Sequence, residues 1–417
     1  ALPHMVEQGE GTILGVTSGS GWRAANAGGY SCAKRVIASL VWQLSRQLPP
    51  NVTINAISPI AATRMVAAAA ERARKAGGTG AGGGLSLFDS MPKPEDLAPL
   101  ATRLASDRFR WSSGRVVFAG GSEMALVDRP SLLEVVRLDG GVPVAQVLEA
   151  TVPKALVPAE ARQASQGGAN PRFGALFDDS TEVTAVHSES GSCLVVSDRP
   201  DLIDSIDRAL GARGIVCHKT GMTSGFEGAA AALQHAVDSH GSFDAVVFAP
   251  AGSATSGLSE GWQRTLDEHA AMPAEIEDDA GWARAVSDHA AKTGQALRLL
   301  TLIDAVHSGG QSRAQASAQL ARSAKEATKE LVVALTLSLE ESDSALGGTV
   351  GEVIAYLVAA AETPDLAGAE LVLRAGWIGL RSHPRPTGSV IYGGPALPEW
   401  FDDTMEEILG AHDRQGA

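Results

Sequence analysis

Apolar and polar positions along this chain fall into a repeating strand and helix rhythm. The run Gly11–Val16 (GTILGV) is apolar and short, as a buried strand is, and a Gly/Ser/Asn-rich stretch separates it from a helical pattern over 30–48. Two further strand-like runs follow: 51–57 (NVTINAI), which stops at Pro59, and 114–119 (GRVVFA), which stops at Gly120 and Gly121. Strand, loop and helix in that order are the unit of α/β folds with parallel sheets, and three strands make about half of a doubly wound one. Residues 137–183 hold no sustained period and carry scattered Pro, Gly and Gln, which predicts a surface linker and a domain boundary.

The rhythm resumes at residue 192. Strand-like runs at 193–198 (CLVVSD), 215–219 (IVCHK), 243–252 (FDAVVFAPAG) and 297–306 (LRLLTLIDAV) alternate with helical patterns at 201–210, 228–240 and 282–293. An Ala-rich segment then reads as one very long helix reaching about Leu339. A helix over 350–361 leads to the last strands, AELVLRAG and SVIYGG. The expected organisation is a first unit at 1–136, a linker at 137–185 and a second unit at 186–417, the second close to a whole parallel sheet with crossover helices.

Length agrees, since 417 residues at roughly 150 per domain allow two or three domains. The formal charge of −14 argues against the basic surface that nucleic acid requires. Cys32, Cys193 and Cys217 are odd in number and far apart, with no C-x-x-C pair, which suits a reducing cytoplasm and gives no metal site. No apolar run approaches the ~20 residues of a bilayer span, so no membrane partner is expected. His235 and His240 are five apart, and no His/Glu pair stands at metal-binding spacing.

Chemistry concentrates in 17–34, TSGSGWRAANAGGYSCAK. Tyr30 and Lys34 are four apart on a helix and share a face. A phenol is a poor base at neutral pH unless a nearby cation favours the phenolate, and Lys34 one turn away can supply that field. Ser18, just beyond the preceding strand, can donate a hydrogen bond to a carbonyl oxygen as charge develops there. Together these groups suit proton transfer in alcohol/ketone interconversion. Y-x-x-x-K alone is far more often a solvated surface pair.

The ordered context carries more weight. VTS, YSCAK and NAISP, in this order and followed by EDLAPLATRLASDRFRWSSGRVVFAGG, resemble the short-chain dehydrogenase/reductase family. The resemblance implies a Rossmann-like doubly wound parallel sheet in one truncated copy followed by one nearly complete, degenerate copy. It implies that Tyr30 exchanges a proton with substrate oxygen, that Lys34 tunes Tyr30 and holds the nicotinamide ribose, and that Ser18 orients substrate. Hydride would pass to or from NAD or NADP. Ser58, Pro59, Ile60 and Thr63 would lie against the nicotinamide, with Ile60 where a Gly is usual. The usual spacing of Ser and Tyr is one residue longer than that of Ser18 and Tyr30; Thr17 satisfies the spacing and Ser18 the local pattern.

In the second copy the same spacing places Ser308, Ala321 and Lys325 at the three positions, so the acid/base is absent. Its first strand ends SDRP rather than in glycines, and Asp198 and Asp201 would repel a pyrophosphate. RAGWIGLR and SPIAATRM resemble the (3R)-hydroxyacyl-CoA dehydrogenase domain of the β-oxidation multifunctional enzymes, which points to acyl-CoA among hydroxyl or keto substrates. TGAGGG at 79–84 imitates a phosphate loop but follows a helical pattern at 65–75, and reads as a flexible lid or linker. Trp22, Trp282 and Cys32 read as packing residues, with Trp22 a candidate for the substrate mouth, and EWFDDTMEEILG as an amphipathic surface helix.

The glycine-rich first turn that the family places upstream of its serine strand is not found before Ser18. The expectation is therefore a fragment of a longer tandem protein or a truncated reading frame. Family dimers pack the Y-x-x-x-K helices together, so residues near 30–48 and 321–340 are expected to form an intramolecular pseudo-dimer, or a homo-oligomer. Two functions stand open: an NAD(P)-dependent oxidoreductase active in its first copy, or a non-catalytic scaffold.

Overall fold

The computed structural model describes residues 1–22, 27–64, 91–165, 191–252, 259–394 and 396–415, with no account of the side chains of 164, 165, 343, 344 and 409–415. The lid or linker expected at 79–84 and the helical pattern at 65–75 lie outside these residues. The first part of the chain runs α1 (Leu2–Gln8), β1 (Gly11–Val16), α2 (Gly28–Leu44), β2 (Val52–Pro59), α3 (Ala98–Leu104), β3 (Val116–Gly120) and β4 (Glu123–Val127). Then come β5 (Leu132–Arg137), α4 (Val144–Thr151) and α5 (Leu156–Ser165). The second part runs β6 (Ser192–Val196), α6 (Pro200–Ala212), β7 (Val216–Thr220), α7 (Gly225–His240), β8 (Ala245–Phe248), α8 (Gly261–Glu268), α9 (Met272–Thr293) and β9 (Leu297–Asp304). It continues with α10 (Ser308–Thr328), β10 (Val332–Leu339), α11 (Asp343–Leu346), α12 (Thr349–Ala359), β11 (Glu370–Arg374), β12 (Trp377–Arg381), β13 (Pro386–Ile391) and α13 (Phe401–Gln415).

Two sheets result, with strand orders β1-β2-β3-β4-β13 and β5-β12-β11-β10-β9-β8-β6-β7. This is the expected Rossmann-like α/β architecture, a shorter sheet beside a longer one. Strands β1, β2 and β3 are parallel, and β4 turns back antiparallel through Gly121, whose φ of 66° a glycine adopts without strain. Strands β9, β10, β11 and β12 repeat that pattern, parallel, parallel, antiparallel. Both copies bury apolar side chains on both faces of the sheet, which is why their strands read as continuous apolar runs.

The ends of each sheet correct the expected boundaries at 136 and 186. Strand β5 leaves the first sheet and pairs antiparallel with β12, while β13 leaves the second and pairs antiparallel with β4. The two copies thus exchange their outermost strands. SVIYGG, expected in the second unit, closes the first sheet, and α13 follows it there, burying Phe401 and Met405 beside Val390 and Tyr392. Nor is 137–165 a surface linker: Leu148, Val152, Leu156 and Ala159 on α4 and α5 enter the core of the second sheet. Two short helices joined at Val152 have no period long enough to stand out in the sequence.

The very long helix expected to reach Leu339 ends at Thr328. Lys329 and Glu330 take left-handed backbone (φ 50° and 66°), and VVALTLSL forms the central strand β10. No Gly or Pro marks that stop, so Ala-rich composition carries the helical reading too far.

Helices α2 and α10 do meet, but through hydrogen bonds at Gln311, Ser312 and Gln319, ahead of the expected 321–340, whose latter part is β10. Gln43 Nε2 donates to Gln311 Oε1 at 2.8 Å, the Ser312 and Ser39 hydroxyls are 2.9 Å apart, and Gln319 Nε2 donates to the Ser20 carbonyl at 2.9 Å. Alanines along α10 keep the helices close. Beneath this contact Arg313 forms a fork with Asp279 of α9, Nε 3.2 Å and Nη2 2.7 Å from its two oxygens, both side chains buried. Glu275 is 3.5 Å from the same guanidinium, so removing Asp279 leaves a buried charge with only its more distant partner. Asp279→Ala is expected to cost about 3–5 kcal/mol in urea unfolding, and a loss below 1 kcal/mol would show the pair to be dispensable.

Two partly buried imidazoles make the fold sensitive to acid. Burial lowers the pKa of His269, whose Nδ1 lies 2.6 Å from the Thr265 carbonyl and whose Nε2 lies 2.8 Å from Ser312 Oγ. Burial also lowers that of His383, reinforced by the charge of Arg322 and opposed by the Glu160 contact at 2.6 Å. His383 joins the β12 to β13 crossover to α5, with its backbone N–H donating to Gln163 Oε1 at 2.6 Å. Both rings bind protons more weakly in the folded state than in the unfolded one. Stability is therefore expected to be full above the ordinary value of 6.5 and to fall as pH drops through it. Unfolding midpoints across that range check this, and His269→Asn with His383→Asn should flatten the slope.

Candidate functional site

Strand β1 delivers its last residues to the C-terminal edge of the first sheet, where α/β folds place their ligands. Among the described residues β1 is hydrogen-bonded to one strand, β2. The Thr17 amide extends that ladder to the Ile57 carbonyl at 2.9 Å, and its hydroxyl donates to the Lys34 carbonyl at 2.6 Å. Thr17 is buried and committed to the helix backbone. Ser18 is half-buried with extended backbone (φ −156°, ψ 155°) and caps a short 3-10 turn at Gly19–Gly21, its Oγ accepting from the Ser20 amide at 3.3 Å. Of the two, only Ser18 retains a hydroxyl proton free to donate outward.

The turn lies flat on α2. A Cβ on Gly21 would stand 2.8 Å from the Lys34 carbonyl carbon and 2.9 Å from the Arg35 nitrogen, so only glycine allows the approach. Tyr30 is in the first turn of α2 with half of its surface exposed, 51%. Lys34, one turn on, donates from Nζ to the Val16 carbonyl at 2.9 Å, and the same nitrogen is 5.7 Å from the centre of the Tyr30 ring. A single ammonium thereby joins the end of β1 to the face of the phenol, with Ser18 two residues beyond Val16.

The loop after β2 departs from the expectation at one residue. Ser58 is wholly buried and its Oγ accepts from Trp22 Nε1 at 2.9 Å, so its side chain faces the core and not a nicotinamide. Trp22 is wholly buried too, edge-on to Phe118 at 6.3 Å, and so packs without lining a mouth. Pro59, Ile60 and Thr63 lie at the strand end: the Ile60 amide donates to Ala119 at 2.8 Å and the Thr63 amide to Ala61 at 2.9 Å. Burial pushes the Cys32 thiol up, as fits a packing residue. Sequence reading missed the buried guanidinium of Arg35, over the Trp42 ring at 5.2 Å and pushed down to about 9 by burial. Nothing in a helical Arg on a K-R dipeptide signals such burial.

The second copy does not align as the spacing suggested. Gly11 faces Val52, and Leu297 faces Val332, at the starts of equivalent ladders, which puts Asp304 and not Ser308 at the place of Ser18. Only residues 305–307 separate β9 from α10, where 17–27 separate β1 from α2. Ser308 opens α10 with its amide donating to Glu268 at 2.9 Å and its hydroxyl bonded to the same carboxylate. Lys325 is in the last turn, paired with Glu330 at 3.4 Å. Loop length, invisible to a fixed spacing, accounts for the error.

Fit to a dinucleotide also differs between the copies. At the end of β6, Ser197 Oγ donates to the Ala249 carbonyl at 2.7 Å and Asp198 accepts from the Met222 amide at 3.0 Å. This turn satisfies itself and presents a carboxylate, so it does not fit a pyrophosphate. At the end of β1, Ser18, Tyr30 and Lys34 instead bring a hydroxyl, a phenol and an ammonium together, with no carboxylate among them. Among the described residues no group of three His, Cys, Asp or Glu side chains could hold a metal ion, and no helix is long and apolar enough to cross a membrane.

Comparison with known proteins places these features. The family described as enoyl-(acyl carrier protein) reductase matches residues 1–121. The NADP-bound N-domain of a bacterial malonyl-CoA reductase is similar with a TM-score of 0.53 and 14% identity, over 84% of this chain and 68% of that one. A short-chain dehydrogenase from Mycobacterium avium shows a TM-score of 0.38 and 15% identity, over 53% of this chain and 95% of its own. No curated protein sequence matches the chain. The malonyl-CoA reductase likeness spans both copies and shows the fold they share.

Proposed function

For a chain that belongs to the short-chain dehydrogenase/reductase family, matched over residues 1–121 and folded in the family's manner beyond them, we propose a reaction at one site, the end of β1. At family level the chain is an NAD(P)-dependent oxidoreductase, with NAD or NADP as cofactor. The finer reading is interconversion of a secondary alcohol and a ketone on a small molecule, with 3-hydroxyacyl and 3-oxoacyl thioesters the favoured class. The acyl carrier named by the matching family and the acyl-CoA reductase among its structural likenesses support that class.

The bond from Lys34 Nζ to Val16, beneath the Tyr30 ring, carries the proposal. A cation fixed there favours negative charge on the phenol oxygen in the transition state, so the Tyr30 hydroxyl can give its proton to a carbonyl oxygen or take one from an alcohol. Ser18 donates to the same substrate oxygen and orients it. Lys34, held by a backbone carbonyl, is placed to meet the ribose hydroxyls of the nicotinamide nucleotide, which supplies the hydride when bound. Strand end and loop 59–63 close one side. The second copy contributes no acid/base, and its α10 buttresses α2.

A coupled absorbance assay with millimolar NADH or NADPH and a 3-oxoacyl thioester tests this. Nucleotide oxidation that requires the thioester is expected; no oxidation with thioesters or simple ketones counts against the reading.

A further inference from the structure

The second copy leaves open a space that the first fills. Ser58 is six residues into β2 and Ser338 six into β10, and in both strands the ladder to the next parallel strand begins four residues in, at Ala56 and at Thr336. Over Ser58 lies the indole of Trp22, brought by the long loop before α2. The loop before α10 is too short to bring an equivalent. A cavity of about 260 Å³ stands there instead, lined by Ser338 and walled by both copies, with Trp42 and Gln43 from α2 and Gln315 from α10.

Its polar groups are unevenly satisfied. Inside, Arg381 bonds Glu340 and is 3.5 Å from Glu370, which is 4% exposed and also feels the charge of the buried Arg35. Gln315 is 8% exposed and its Oε1 has no hydrogen-bond partner. Around the opening Arg46 and Arg129, contributed by the turn after α2 and by the crossover from β4 to β5, are exposed and form no ion pair among the described residues. The unpartnered Gln315 oxygen below a rim of unmatched positive charge suits a ligand with an acid at one end and a donor at the other.

We propose that this cavity binds a small organic anion bearing a hydroxyl or amine, its acid between Arg46 and Arg129 and its donor toward the Gln315 and Glu370 side. The site is separate from Tyr30 and lies between the two copies. Calorimetry of the full chain with 4-hydroxybutyrate, without nucleotide, tests it, with butyrate as the hydroxyl-free control. Saturable binding of one 4-hydroxybutyrate per chain is expected, weaker for butyrate. Both rim arginines are exposed, so Arg46→Ala with Arg129→Ala should leave the fold intact and weaken 4-hydroxybutyrate by roughly tenfold or more, while Lys34→Met leaves it unchanged. Absence of saturable heat with 4-hydroxybutyrate, equal affinity in the rim variant, or loss with Lys34→Met would overturn the proposal.

Discussion

Tyr30→Phe is expected to lower kcat/KM by about 10²–10⁴-fold, the range that a positioned general acid or base supplies, while nucleotide binding and thermal stability stay close to those of the parent. The expectation follows from position. Half of the Tyr30 surface is exposed, so the ring adds little to the core, yet the Lys34 ammonium is 5.7 Å from its centre. Removing the hydroxyl takes away the transferable proton and little else. Steady-state kinetics beside a thermal melt check both halves of this. Turnover within threefold of the parent would show that another group moves the proton; a large fall in stability would assign Tyr30 to the fold.

Ending the chain before β13 is expected to unfold the first copy, although the residues removed come last in the sequence. Strand β13 completes the first sheet through its antiparallel ladder to β4, and with the segment that follows it buries Val390, Tyr392, Phe401 and Met405. At about 1.5–3 kcal/mol for each buried side chain, their loss amounts to roughly 6–12 kcal/mol, comparable with the whole stability of a domain. Limited proteolysis of a 1–385 chain should cleave within 1–127 and spare 191–381. Equal resistance of both parts would contradict the exchange of strands.

How much of this was legible in the sequence depended on the range of the interaction. Apolar runs such as NVTINAI and LRLLTLIDAV marked central strands, because a parallel strand buried on both faces leaves little room for polar residues, while the equally apolar GTILGV forms the half-buried edge strand β1. The pairing of Tyr30 with Lys34, and the choice of Ser18 over Thr17 as the outward hydroxyl, rest on local geometry that spacing and pattern could address. What escaped is set by distant parts of the chain. Strands β5 and β13 find partners in the opposite copy, and no local pattern encodes that. The burial of Ser58 under Trp22 depends on a loop conformation between residues 36 positions apart. The stop of α10 at Lys329 uses a left-handed residue with no glycine signal, and the short loop at 305–307 displaced the inferred Ser308 and Lys325 alignment. Fixed spacing transfers between copies only where loop lengths are equal.

Stoichiometric titration of the full chain with NADH and NADPH, by calorimetry and nicotinamide fluorescence, tests most directly the claim that one of two related copies holds the reactive site. One nucleotide per chain is expected, weakened by Lys34→Met, retained in Tyr30→Phe and unaffected by Asp198→Ala, since Asp198 already accepts from Met222 at a turn that offers no cradle. Two nucleotides per chain, loss of binding on Asp198→Ala, or indifference to Lys34→Met would place the cofactor at the second copy or elsewhere and contradict the assignment.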